Sequence, residues 1–342
     1  IPVSSDDDAL EKTVRTLIGV KLDHKPGDRY TYATINYDVL GLVIEKAANM
    51  PYEEFMQENI LSPLGLNNTY LYRDQAYGLK EMSAGYTHGF FSEYNIMDPT
   101  YRGNTPAGYV ITDINDLERW VKIQMGLVEV PEPFHELIAA SHAPDRSVIP
   151  EGYDSSSYAV GWLVHQDGHG QLSHQGNNPR FTSVVIFRPV EKIAVMVLAN
   201  IDARAVNNIG YGIISILKND NVNLITRDMG IDIDNACIAI ILVSMVLIVL
   251  SLIFIFLLVK DMFTGKITSV QFRLKNIIYL LLTLVFFGIL SYCLYILPES
   301  IWELNWESAM VWAPLSYLPA LFFFSASLVL FCLYFNLNFC FI

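Results

Sequence analysis

The sequence predicts an α+β domain of helices and antiparallel strands, followed by a membrane domain of three transmembrane α-helices. Three observations lead there. Apolar residues recur at helical spacing up to about Ala140, as in Leu40, Val43, Ile44 and Ala47. From Tyr158 the apolar period becomes strand-like. Beyond Asp234 three long uncharged runs follow: Ala236–Val259, Asn276–Leu297 and Ala309 to near the C-terminus. Each exceeds the ~20 apolar residues that a membrane-crossing helix needs. The expected division is an α+β domain over residues 1–220, a linker over 221–235 and a membrane domain over 236–342, with spans near 236–259, 276–297 and 310–335.

Charge in the short loops sets the expected orientation. Between the first two spans lie Lys260, Lys266, Arg273 and Lys275, opposed only by Asp261, whereas the next loop carries Glu299, Glu303 and Glu307 and no basic residue. The positive-inside bias puts the first loop in the cytoplasm and the second outside, so the domain before Ala236 is expected to be extracytoplasmic on the plasma or inner membrane. Trp302, Trp306 and Trp312 fit an aromatic belt at the outer end of the third span. Pro314 and Pro319 either kink that span or lie in the turn leading into it. All 4 cysteines lie in or beside the spans, which leaves the domain without a disulfide or thiolate metal site. The net charge of −13 argues against nucleic acid as a partner and leaves the lipid bilayer as the expected one.

Along the domain, Ser4 and Ser5 suit an N-cap, and Asp6, Asp7 and Asp8 suit the positive end of a helix running to about Leu17. Three consecutive acids would point in three directions on a helix, so capping outweighs metal binding. A turn at Pro26-Gly-Asp28 precedes Tyr30–Gly41, where Tyr32 stands before the helix Tyr37–Ala48. Tyr30, Tyr32 and Tyr37 read either as packed aromatics or as phenols presented to a substrate. Pro51 opens a second helix, and Ser62–Thr69 is rich in turn signals. Tyr70–Thr105 has no clear period and reads as irregular, its lone His88 offering no metal site. Thr112 is expected to cap a helix over Asp113–Met125, and Pro131–Ala140 to form a shorter one. Strands are expected over Tyr158–Val164, Gln171–His174, Arg180–Phe187 and Ile193–Leu198, then a helix over Ala203–Leu217. Ser173–Arg180 brings a histidine, a glycine and exposed amides to a strand end, which by itself reads as a strand turn with a solvent histidine.

Taken in order, these segments resemble the serine β-lactamase and penicillin-binding-protein-like hydrolases. Tyr30–Gly41 is similar to the family's Tyr-Ser-Asn-x-x-Tyr-x-Leu-Leu-Gly stretch, and Ser62-Pro-Leu-Gly-Leu-Asn-Asn-Thr69 to its Pro-Leu-Gly-Met-x-x-Thr landmark. Pro106-Ala-Gly108, Tyr158-Ala-Val-Gly-Trp162, His174-Gln-Gly176 (the His-x-Gly variant of the third motif, a class C-like feature) and Ala199-Asn200 follow in the family's order. The resemblance covers Ile1 to about Leu217 and implies a β-lactamase/transpeptidase-like fold with no cofactor. It implies a serine nucleophile in Ser-x-x-Lys, Tyr32 sharing the proton transfer, His174 across the cleft, and the Asn177 N–H beyond Gly176 as half of an oxyanion hole. Asn178 and Asn177 would read the substrate. Two departures stand out. Thr34 takes the place of the usual Asn, losing the amide's two-ended geometry. No Ser-x-x-Lys stands at the matching place, and Ile1 opens the chain without a methionine or signal segment. The nucleophile is therefore expected upstream, and the chain as given is expected to be an inactive fragment.

The expected function is a membrane-anchored serine hydrolase working through an acyl-enzyme outside the cytoplasm on a peptide or cell-wall-type small substrate. A domain followed by three spans resembles the family's prodrug-maturing D-amino-acid peptidases, an architectural analogy. A D-alanyl-D-alanine carboxypeptidase and an esterase are close alternatives within the enzyme class. A non-catalytic, penicillin-binding-like sensor or scaffold is the alternative outside it.

Overall fold

The computed structural model describes residues 3–97, 99–145, 156–165, 170–222, 228–267, 274–302 and 304–341. Two units make up the chain: Ile1–Tyr86 with Asn95–Arg227, and Thr87–Tyr94 with Asp228–Ile342.

The first unit begins with α1 (Ala9–Arg15), whose N-cap is Asp8 without a side-chain cap bond. The serines expected to cap it do not: Ser4 Oγ accepts from the Asp6 N–H at 3.1 Å, while Asp6 and Asp8 both pair with Lys12. The acids thus serve solvent-exposed ion pairs, which water and salt screen. α2 (Ile35–Ala48), α3 (Tyr52–Met56), α4 (Ser62–Leu64) and α5 (Arg73–Tyr77) follow. Leu61, Leu64, Leu66 and Leu71 gather with Ile123 into one apolar cluster, which explains the leucine spacing of the Ser62–Thr69 landmark. The stretch expected to be irregular contains a hairpin, β1 (Tyr86–Gly89) and β2 (Ser92–Asn95). A short α6 (Thr105–Gly108) then packs on α2. A Cβ on Gly41 would lie 2.3 Å from Pro106 Cγ, so only glycine permits that approach.

α7 (Ile114–Gln124) is capped by Asp113, whose side chain accepts from the Asp116 N–H at 2.8 Å. Thr112, the expected cap, bonds Thr69 instead, at 2.9 Å between hydroxyls. A carboxylate is the stronger acceptor at a positive helix end, and it takes the position. α8 (Glu132–Ser141) precedes a five-stranded antiparallel sheet of β3 (Ser156–Tyr158), β4 (Leu163–His165), β5 (Leu172–Asn178), β6 (Phe181–Arg188) and β7 (Ile193–Ala199), in that spatial order. The single strand expected over Tyr158–Val164 is two strands. Gly161 at φ 84° turns the chain, and the Ala159 N–H donates to Trp162 O at 2.7 Å. In turn, β5 runs beyond its expected end at His174. Asn177 and Asn178, which looked like turn residues, pair with Thr182 and Phe181, and the turn falls at Arg180, φ 70°.

Both faces of the sheet are covered. Trp162, Val164, Leu172 and Phe187 pack with Val121 of α7. Val184, Ile186 and Val195 pack with Val206 and Ile214 of α9 (Ala205–Leu217). Residues 184 and 186 thus face one way and Phe187 the other, the period-2 alternation that the sequence carries. Gly210 allows α9 to approach: a Cβ there would sit 2.5 Å from Val184 Cγ1.

The second unit holds three helices long and apolar enough to cross a membrane, α10 (Met229–Phe263), α11 (Leu274–Trp302) and, after the short α12 (Trp306–Trp312), α13 (Tyr317–Phe341). α10 begins before the expected Ala236 and takes in Asp232 and Asp234; Asp228 caps it by accepting from the Gly230 N–H at 2.9 Å. Pro314 lies in the break between α12 and α13, and Pro319 in the first turn of α13, so the third span is not kinked by either. α10 and α13 share a core of Cys237, Ile241, Ala313, Tyr317 and Ala320.

Candidate active site

The loop before α2 and the β5 edge of the sheet bring a group of aromatic rings together. Tyr158, at the end of β3, is its hub. Its ring lies 5.2 Å from that of Tyr30 and 6.4 Å, edge-on, from that of Tyr32. Its hydroxyl is 2.9 Å from that of Tyr37, in the first turn of α2. His174, on β5, has its ring centroid 6.4 Å from both Tyr32 and Tyr158. The sequence landmarks thus converge, and Tyr32 and His174 are neighbours.

Tyr32 is 55 % exposed, and its hydroxyl has no hydrogen-bond partner among the described residues. Partial burial, with a smaller contribution from the Tyr37 phenol, pushes its pKa up from the ordinary tyrosine value. Burial also raises Tyr30, to about 12. Tyr158 is raised further, by burial and by its bond to Tyr37. His174 moves the other way: burial lowers its pKa, opposed by the bond from Nδ1 to the Gln175 carbonyl at 2.7 Å. A carbonyl only accepts, so Nδ1 carries the proton and the neutral ring leaves Nε2 as an acceptor. No hydrogen bond joins the Tyr32 hydroxyl to His174 among the described residues; the two are neighbours through their rings alone.

β4 pairs with β5 only at Leu172 and Ser173. From His174 to Asn178 the edge of β5 opposite β6 has no strand beside it among the described residues, so alternate N–H and C=O groups there are open to an extended ligand. Gly176 is explained by its neighbour: a Cβ would lie 2.3 Å from Ser183 Oγ on β6. Asn177 Oδ1 is 3.4 Å from Thr182 Oγ1, and Asn178 Nδ2 donates to the Gly108 carbonyl at 2.7 Å. The Asn178 amide is therefore committed to α6, whereas the Asn177 side chain is exposed.

A cavity of about 460 Å³ opens beside these rings, lined by Tyr30, Tyr32, Tyr37 and Tyr158 with His24, Arg29, Asn36 and Asp145 among others. His174, Gly176, Asn177 and Asn178 do not line it; Tyr32 and Tyr158 belong to both groups. Thr34 is exposed and does not line it either, whereas Asn36, two residues on, does. An amide is thus available one half-turn away from where the sequence comparison sought it. Asn36 and Tyr158 were missed as site residues; the signal for Tyr158 was its place in the Tyr158–Trp162 landmark. The lining holds no serine or lysine. The chain's Ser215-Ile-Leu-Lys218 has the nucleophile spacing but ends α9, with Lys218 paired to Asp220 at 2.9 Å. No group of three or more potential metal ligands occurs among the described residues.

Comparison with known proteins gives the family. A family model described as Beta-lactamase matches residues 2–212. Protein flp of Staphylococcus aureus (strain COL) is 30% identical over 210 residues, covering 60% of this chain and 40% of that protein. Protein flp of strain MRSA252 aligns at 27% over 335 residues, covering 92% of this chain and 62% of its own length. A beta-lactamase of Providencia stuartii is 24% identical over 210 residues, 52% of each chain. This chain therefore spans less than two thirds of these relatives. Among solved structures, an octameric penicillin-binding protein homologue from Pyrococcus abyssi superposes with a TM-score of 0.56 at 24% identity, over 65% of this chain and 49% of that one. A class C beta-lactamase superposes at 0.51 and 18% identity, over 59% and 62%. Those two structures bear on the fold alone. The family model spans more than half of the chain, and the chain belongs to the beta-lactamase family.

Proposed function

We propose that this chain belongs to a membrane-anchored serine hydrolase that works through an acyl-enzyme outside the cytoplasm. The observation that carries the reading is the pairing of Tyr32, with its unengaged hydroxyl, and neutral His174 at the open edge of β5. In this scheme Tyr32 shares the proton transfer from a serine nucleophile, and His174 Nε2 orients it or the substrate's carboxylate. The Asn177 N–H contributes to an oxyanion hole, and the open strand edge takes the substrate backbone. Asn36, rather than Thr34, supplies the amide that faces the substrate, and Gly176 and Asn178 hold the strand end. The substrate is a small peptide, with a D-amino-acid or prodrug-type peptide favoured over a cell-wall ester because of the three apolar helices that follow the domain. Domain boundaries near residues 220 and 236, with the domain on the extracytoplasmic side, complete the reading.

The Tyr32 phenol is pushed up by partial burial, so the catalytic reading needs a cationic neighbour to bring it down, the lysine of Ser-x-x-Lys, whereas a non-catalytic sensor or scaffold needs none. The two readings separate in one experiment on the full-length protein in its membrane. A fluorophosphonate or penicillin label should attach covalently to a serine and be competed by substrate. Saturable but purely reversible binding would establish the sensor instead.

A further inference from the structure

The β1–β2 turn of the membrane unit is built in an unexpected way. Its two central residues, Phe90 and Phe91, have φ of 51° and 63°, a left-handed conformation that turns normally give to Asn and Gly. Two large aromatic side chains hold that conformation only where the surroundings impose it. Here the surroundings are the Asp234 carboxylate on α10, which is 3% exposed. Asp234 Oδ1 accepts from the Phe90 N–H at 2.9 Å and Oδ2 from the Phe91 N–H at 3.0 Å, while the Ser316 hydroxyl donates to Oδ1 as well. A further bond runs from the Leu315 N–H to the His88 carbonyl at 3.0 Å. Gly89 is required beneath it, since a Cβ there would lie 2.7 Å from Leu315 Cβ. The turn is therefore fixed to α10 and to the start of α13 at once.

Fixing the turn does not bury it. Phe91 is 75% exposed and Phe90 43%, and every residue of β2 is exposed. Phe91 makes no ring contact among the described residues. Its depth is set by the residue that holds it. Asp234 lies just before the uncharged run that opens at Ala236, and Ser316 just before α13. At that level α10 passes from a surface bearing Asp232 and Asn235 to the uncharged run, the level at which interfacial aromatics meet headgroups and the first acyl carbons.

We propose that the Phe90–Phe91 turn is a lipid-contacting element, which Asp234 holds so that the Phe91 ring enters the boundary between headgroups and acyl chains. A protein partner is the less favoured occupant, because Phe91 is held at the level where the charged start of α10 gives way to its uncharged run. This inference does not depend on the proposed catalysis. It is tested by placing the photoreactive analogue p-benzoylphenylalanine at position 91 of the full chain, in nanodiscs of phosphatidylethanolamine and phosphatidylglycerol. Irradiation should give a phospholipid adduct at residue 91, read by mass spectrometry. A crosslink to a second copy of the chain, or reaction with solvent alone, would overturn the proposal. In the same discs Asp234→Asn leaves the carboxamide a single acceptor oxygen, and losing one ordinary hydrogen bond should cut the adduct yield about fivefold. An unchanged yield with unchanged helix content would remove Asp234 from the role.

Discussion

At Tyr32 a hydroxyl is left without a partner among the described residues, whereas at Asp234 two carboxylate oxygens take three donors. Both groups lie beside a helix start, on or against a loop that bears aromatic residues. The difference is in spare capacity. Unspent hydrogen-bonding potential is where a substrate or proton can be engaged, and a fully engaged buried carboxylate is where a conformation is fixed. The contrast implies that the two sites respond oppositely to truncation. Tyr32→Phe should lower turnover of the full-length enzyme by about 10²–10⁴-fold while leaving its thermal midpoint in place. Unchanged turnover would refute the proton-transfer role and leave Tyr32 a surface aromatic.

Asp234→Ala should do the reverse. It strands two backbone N–H groups of a strained turn and a buried hydroxyl, for a loss of about 3 kcal/mol in stability with the catalytic constants little changed. Denaturant titration of the detergent-solubilised chain, read beside turnover, measures both. Equal losses of activity and stability would show that the two regions are not separable in the way their hydrogen bonding suggests.

Tyr158→Phe lies between these extremes. Its hydroxyl meets that of Tyr37 and its ring meets Tyr30, Tyr32 and His174, so it is both packed and adjacent to the open phenol. Losing one neutral hydrogen bond should cost about 1 kcal/mol in stability. Turnover should fall by about tenfold, with KM moving more than kcat, because the ring that positions Tyr32 is kept.

The sequence made Tyr32 and His174 legible, because each lies in a landmark whose order along the chain is informative. Tyr158 was legible only as part of a motif. Its place at the centre depends on the turn at Gly161, which splits an apparently continuous apolar run into β3 and β4. The extension of β5 through Asn177 and Asn178 was hidden for the same kind of reason: local turn preference was overridden by seven cross-strand pairs with β6. The Phe90–Phe91 turn carries no local signal at all. Phenylalanine is not a turn residue, and the carboxylate that fixes the conformation comes from Asp234, far along the chain. Apolar span length, by contrast, is a property of composition, and all three long helices were visible from it.

A pH-dependent effect is expected of a buried carboxylate in the first unit that stands between these cases. Asp38, on α2 next to Tyr37, is wholly buried. It accepts from the Ala107 N–H and, with the Asn104 amide turned to donate, from Asn104 at 2.7 Å. Burial outweighs those donors and pushes its pKa up from 3.8 to about 7. The sign follows. Between those values the folded protein keeps a proton that the unfolded chain has lost, so stability is highest at acid pH, falls as pH rises through the window and levels off above about 7. Asp38→Asn keeps the shape and removes the titration, so this slope should disappear from thermal midpoints measured against pH. If the slope persists, it arises elsewhere in the chain and Asp38 does not titrate in this window. If it disappears, Asp38 is the source of the slope, and what opposes its ionisation is burial alone, since the Ala107 and Asn104 donors favour the ionised form.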